Sequence, residues 1–147
     1  MQLLGATMEF DVSRYELADS AVLTLQNLER TDDLTGADGK NPVKITVYSP
    51  GSTQGVRALH KAGQAAQLRL QGLVRGKVEK NAAIAADAER VIKLVEITAN
   101  IDNFPVEGGA TAIYSNPKLG DIADQVESFF SDKANFSKAS SNNSSST

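Results

Sequence analysis

NPVKITVYSPGSTQGVRALH, residues 41–60, changes its period in the middle. Before Pro50 the apolar residues Val43, Ile45 and Val47 alternate with Lys44, Thr46 and Tyr48. A period of two with β-branched residues describes a strand with one buried face. After Pro50-Gly51 the spacing becomes helical, with Ser52 placed to cap the first turn. A strand handing over to a helix across a Pro-Gly turn sets the fold class as α+β.

Working toward the N-terminus, two more alternating runs appear. Met8, Phe10 and Val12 alternate with Glu9 and Asp11, and Ala21, Leu23 and Leu25 alternate with Val22, Thr24 and Gln26. The reading is a small N-terminal antiparallel sheet over about residues 8–48. The stretch LERTDDLTGADGKNP (28–42) is rich in turn formers, and Asp38-Gly39 suits a tight antiparallel turn, so it is expected to be a mobile acidic loop.

Toward the C-terminus about three helices are expected, over about 52–133. In the first, Val56, Leu59, Ala66, Leu70, Leu73 and Val74 share a face expected to meet the core, although Gly55, Gly63 and Gly72 interrupt it. Each glycine costs roughly 1 kcal/mol against alanine inside a helix. The second helix spans AAIAADAERVIKLVEITANI (82–101). Ile84, Ala88, Val91, Ile92, Val95 and Ala99, widened by Leu94, Ile97 and Ile101, give it a broad stripe and the most buried position. Residues 102–115 read as a loop. Asn116-Pro117 opens the third helix, whose stripe runs through Leu119, Ile122, Val126, Phe129 and Phe130. Residues 1–136 then form a single domain. From Ser137 to Thr147 the chain is Ser- and Asn-rich, and the segment reads as a disordered tail.

Bulk properties narrow the function classes. The chain has 147 residues, 41% hydrophobic and 22% charged, with a net charge of −3 and a pI near 5.1. This balance does not favour nucleic acid or an anionic membrane. There is no cysteine, so disulfides, thiol nucleophiles and Cys-ligated zinc are excluded from this sequence. No apolar run approaches the ~20 residues that span a bilayer. The start MQLLGATMEFD has neither a basic n-region nor an h-region, so it does not read as a signal peptide, and the expected location is cytoplasmic.

Catalytic patterns are missing from the sequence, which reads as a non-enzyme without a cofactor or metal. His60 is the only histidine, and a packing or surface role is favoured for it. The acidic loop lacks the alternating ligands and distal Glu of a calcium loop, and VEGGATA lacks the lysine of a phosphate loop. Two features point instead to protein–protein contact. One is the basic segment 57–80, with Arg57, Lys61, Arg69, Arg75, Lys77 and Lys80 against Glu79. It has no interleaved aromatics for base stacking, which leaves a solvated face or a dock for an acidic partner. The other is the cluster Phe129, Phe130 and Phe136, which either completes the core or anchors a partner. The sequence favours one ring inside, with Phe136 the most exposed.

DQVESFFSDKANF (124–136, with Gln125-Val126 and Phe129-Phe130 inside it) resembles the final segment of the tail assembly chaperone family of tailed bacteriophages. The order of elements is similar over about residues 8–136. Where that family usually has Gly-Trp after the second helix, this chain has Ala99-Asn100. The resemblance implies a non-enzymatic protein of the host cytoplasm that coats the tape-measure protein and hands it to tail-tube subunits. Arg57, Lys61, Arg69 and the three phenylalanines are its candidate partner-binding residues. A structural virion protein forming an oligomer is the alternative, followed by a nucleic-acid-binding module.

Overall fold

The computed structural model describes residues 15–74 and 82–138. The strand expected at 8–12, the basic residues Arg75, Lys77 and Lys80, and the tail from 139 lie outside them. Strands β1 (Ser20–Thr24), β2 (Lys44–Tyr48) and β3 (Thr98–Asp102) form an antiparallel sheet in the order β1-β2-β3. Around it are helices α1 (Thr53–Val74), α2 (Ala82–Ile97), α3 (Gly109–Ser115) and α4 (Gly120–Ser131), with 3-10 turns at Pro117–Leu119 and Lys133–Phe136. The class is α+β.

The alternation in the sequence decides which face of the sheet is covered. Leu23 pairs with Ile45, which pairs with Ile101, so the three share one face. Ala21 and Val47 continue that face and are buried. On the other face Val22, Thr24, Thr46 and Tyr48 are half-buried. Leu94 and Ile97 of α2, Ile113 and Tyr114 of α3, and Ile122, Val126 and Phe130 of α4 close the core against the inner face. Full burial of each such apolar side chain stabilises by about 1.5–3 kcal/mol.

The loop between β1 and β2 is more ordered than the sequence indicates. Leu34 donates its N–H to the Leu25 carbonyl at 2.9 Å, and its own carbonyl accepts from Val43 N–H at 2.8 Å. Leu34 therefore bridges the two strand ends. The Asp38-Gly39 turn forms as expected: Gly39 has φ 69°, and Asp38 Oδ1 accepts from the backbone N–H groups of Lys40 and Asn41, each at 2.9 Å. These bonds hold the Asp38 carboxyl below its ordinary pKa.

Two departures follow from local backbone chemistry. The run Thr98–Ile101 is strand rather than the end of α2. Thr98 Oγ1 donates to the Leu94 carbonyl at 2.8 Å and shares a hydrogen bond with the Tyr114 hydroxyl at 2.6 Å. The side chain thus satisfies the last turn of α2, and the following backbone pairs with β2. The expected strand range of 8–48 accordingly omits β3. Residues 109–115 are helix rather than loop. Gly108 and Gly109 take φ of 89° and 63°, a start for which glycine is suited, and seven residues are too few to reveal a period. Asn116 caps as expected, accepting from Lys118 N–H at 3.0 Å, but it opens the 3-10 turn ahead of α4.

Ser52 does cap α1: its Oγ accepts from Gly55 N–H at 2.9 Å and donates to the Ser49 carbonyl at 2.6 Å. A Cβ on Gly55 would lie 1.9 Å from the Ser49 carbonyl oxygen, so this glycine allows close approach. Helix α1 continues through Gly63 without a break.

Candidate interaction surface

The stripe expected to bury α1 turns away from the core. Val56 is 56% exposed, Leu59 47% and Leu70 59%, while Ala66 is half-buried. The side chains of Leu73 and Val74 lie outside the described residues. The packed face is instead Gly55, Ala58, Ala62 and Ala65, spaced three, four and three apart. Small residues at that spacing let two helix backbones approach closely, which large side chains at the same positions would prevent. The partner is α2. Arg57 and Lys61 meet Glu96, and residues 61–68 share a groove with Glu89 and Ile92, so the two helices run antiparallel.

Helix α2 touches α1, α3, α4 and β3, but the stripe expected to bury it is not its buried face: Ala88, Ile92 and Ala99 are exposed and Val91 and Val95 half-buried. Helix α1 has an extended interface with α2 and none of comparable size with the sheet. Leu94 and Ile97, at the body end of α2, are fully buried, but Ile92 is 57% exposed and Ala88 is exposed. Leu68 on α1 is 68% exposed. Apart from Tyr15 and Leu28, every large exposed apolar side chain among the described residues lies on this hairpin.

The groove side of the hairpin is lined by Lys61, Ala62, Ala65, Leu68, Glu89 and Ile92 around a cavity of about 310 Å³. At its body end Arg57 Nη1 and Lys61 Nζ lie 3.5 and 3.4 Å from the same oxygen, Glu96 Oε1. Both cations are about half exposed, so each pair contributes about 0–1 kcal/mol at most. Arg57 and Lys61 thus come together on Glu96, a carboxylate outside the basic segment 57–80. Arg69 is carried by α1, but its side chain is outside the described residues.

The phenylalanine cluster is chiefly core. Phe136 is fully buried and Phe130 is 3% exposed. The expectation that Phe136 is the most exposed ring is overturned. Asp132 accepts from Ala134 N–H at 3.1 Å and starts the 3-10 turn that swings Phe136 inward. The Phe136 carbonyl then accepts from Ala18 N–H at 2.7 Å, and Ser137 bridges Leu17, so the ordered chain runs past the expected boundary at 136. Phe129 is half-buried and meets Phe136 edge-on, with ring centroids 5.3 Å apart at 73°. Only Phe129 presents surface, beside a polar cleft that includes Gln26, Arg30, Asp124 and Asn135.

Around that cleft α4 is tied to the β1–β2 loop. Gln125 Nε2 donates to the Gln26 carbonyl and its Oε1 accepts from Gln26 N–H, both at 2.9 Å. Arg30 makes a two-pronged contact with Asp121 at 2.8 and 2.9 Å, which lowers the Asp121 pKa and raises that of Arg30. On the opposite side Lys93 reaches Glu127 at 2.9 Å and Arg90 reaches it at 3.2 Å, clamping α2 to α4. These contacts rigidify the body and leave the hairpin as the accessible apolar surface.

Leu68, Ile92 and Glu96 were not singled out as site residues by sequence reasoning. The signal available was the run of small residues at 58, 62 and 65, which marks the packed face of α1 and leaves Leu68 outside it. His60 is exposed on α1. Among the described residues, no group of His, Asp or Glu is arranged to hold a metal ion, and no helix is long and apolar enough to cross a membrane. Comparisons with protein-family models, with functionally characterised proteins and with solved structures returned no match.

Proposed function

We propose that this chain is a non-enzymatic tail assembly chaperone of a tailed phage, acting in the host cytoplasm. It would bind the tape-measure protein and present it to tail-tube subunits. The observation that carries this reading is the α1/α2 hairpin, which concentrates exposed Val56, Leu59, Leu68, Leu70 and Ile92 on a pair of helices anchored at one end. Apolar surface gathered on one element of an otherwise well-covered protein marks a contact site. A long amphipathic helical client is a suitable occupant for such a surface. The resemblance of residues 124–136 to the family's closing segment supports the phage assignment.

Affinity capture of the tagged full chain from phage-infected cells tests this, with purified virions analysed by mass spectrometry in parallel. The expected result is recovery of the tape-measure protein, with this chain missing from virions. Fixed copy number in virions, with no tape-measure recovery, would transfer the assignment to a structural virion protein.

A further inference from the structure

The two flanks of the hairpin differ in charge. On one flank Val56, Leu59, Gly63, Ala66 and Leu70 form an apolar stripe without an ionised residue. The other flank is the groove over Ala62, Ala65, Leu68 and Ile92. At the body end Arg57 and Lys61 share the single carboxylate of Glu96. Helix α1 carries no Asp or Glu anywhere in its 22 residues.

We propose that this groove docks one amphipathic helix of a partner protein. The helix lays apolar side chains over Leu68 and Ile92 and sets a carboxylate beside Arg57 and Lys61. The valley between two antiparallel helices is straight and accepts the ridge of a third. Two cations sharing one carboxylate leave an excess positive charge, which an incoming carboxylate complements. A second copy entering through its own α1 would bring a helix with no carboxylate to the cationic end. The occupant is an acidic helix of another protein, and self-association through this groove is an outcome of the test. This inference rests on the reading of the hairpin as a client-binding element and adds which groove is used and what the client must carry.

The test uses the full chain and two designed 21-residue amphipathic peptides with identical Leu seams, one flanked by Glu and one by Lys. Binding is followed by fluorescence anisotropy. The Glu peptide is expected to bind at least about tenfold more tightly than the Lys peptide, and to weaken with added salt. L68Q/I92Q, at exposed positions, is expected to melt as the unmodified chain does and to lose at least about tenfold in affinity for the Glu peptide. R57Q/K61Q should abolish the Glu-over-Lys preference, and V56Q/L70Q, on the other flank, should lose clearly less affinity for the Glu peptide than L68Q/I92Q does. Failure of the Glu peptide to bind overturns the proposal. So does equal binding of both peptides, loss of binding in V56Q/L70Q with L68Q/I92Q unaffected, or self-association that L68Q/I92Q abolishes. Capture of the tape-measure protein separates the two levels. Recovery undiminished by L68Q/I92Q defeats the groove and spares the chaperone reading, whereas peptide binding without any tape-measure recovery does the reverse.

Discussion

The two faces of helix α2 live in different surroundings. Leu94 and Ile97 are fully buried among the sheet, α3 and α4, while Ile92, on the opposite side of the helix, is mostly exposed beside Leu68. One helix therefore belongs to a closed body and to an open hairpin at once. The body has matched its apolar side chains to one another and tied its loops with Gln125, Arg30 and Asn116. The hairpin has matched only one face of α1, using small residues, and leaves its large ones in solvent. Stability and recognition are thus divided along the chain, and substitutions should separate them.

The largest effect belongs to the body. Phe136→Ala, which empties a fully buried position, is expected to lower unfolding stability by about 3–5 kcal/mol in denaturant melts. Phe129→Ala, at a half-buried ring, should cost clearly less, and an equal loss from both would undo the assignment of Phe129 to the surface. Next come the glycines of α1. Gly55→Ala pushes a Cβ into the Ser49 carbonyl and is expected to destabilise by about 1–3 kcal/mol. Gly63→Ala meets open space and should stabilise by about 0.5–1 kcal/mol. If both change stability in the same direction, the close approach at Gly55 is wrong.

A pH effect follows from the depressed carboxyls. Asp38 and Asp121 have folded pKa values below the ordinary value near 4, so their contribution is complete above that value and is lost as pH falls through the lowered ones. Asp121→Asn should therefore flatten the fall in melting temperature on acidification below about pH 4. An unchanged acid limb would show that the Arg30 contact does not form in solution. The smallest effect is on the hairpin, where Leu59→Gln should shift stability by no more than about 0.5 kcal/mol.

Much of the body was legible in the sequence. The alternation at 43–47, the Ser52 cap, the Asp38-Gly39 turn and the Asn116 cap all depend on neighbours within a few residues. Strand β3 was not legible, because Ala99 and Ile101 continue the helical spacing of Val91 and Val95 and only the side-chain bond of Thr98 and pairing to β2 end the helix. The orientation of α1 was lost for a different reason. The rule that large apolar residues face the core fails on a helix whose packed face is built of alanine and whose large residues face outward. Phe136 was misplaced because a short turn, capped by Asp132, redirects a ring that lies near the Ser-rich tail.

The decisive measurement is capture of the tape-measure protein from phage-infected cells by the tagged chain and by its L68Q/I92Q variant, at matched expression and after confirming equal melting temperatures. The account predicts recovery with the unmodified chain and a drop of at least about tenfold with the variant. Equal recovery by both, or none with the unmodified chain, would contradict it.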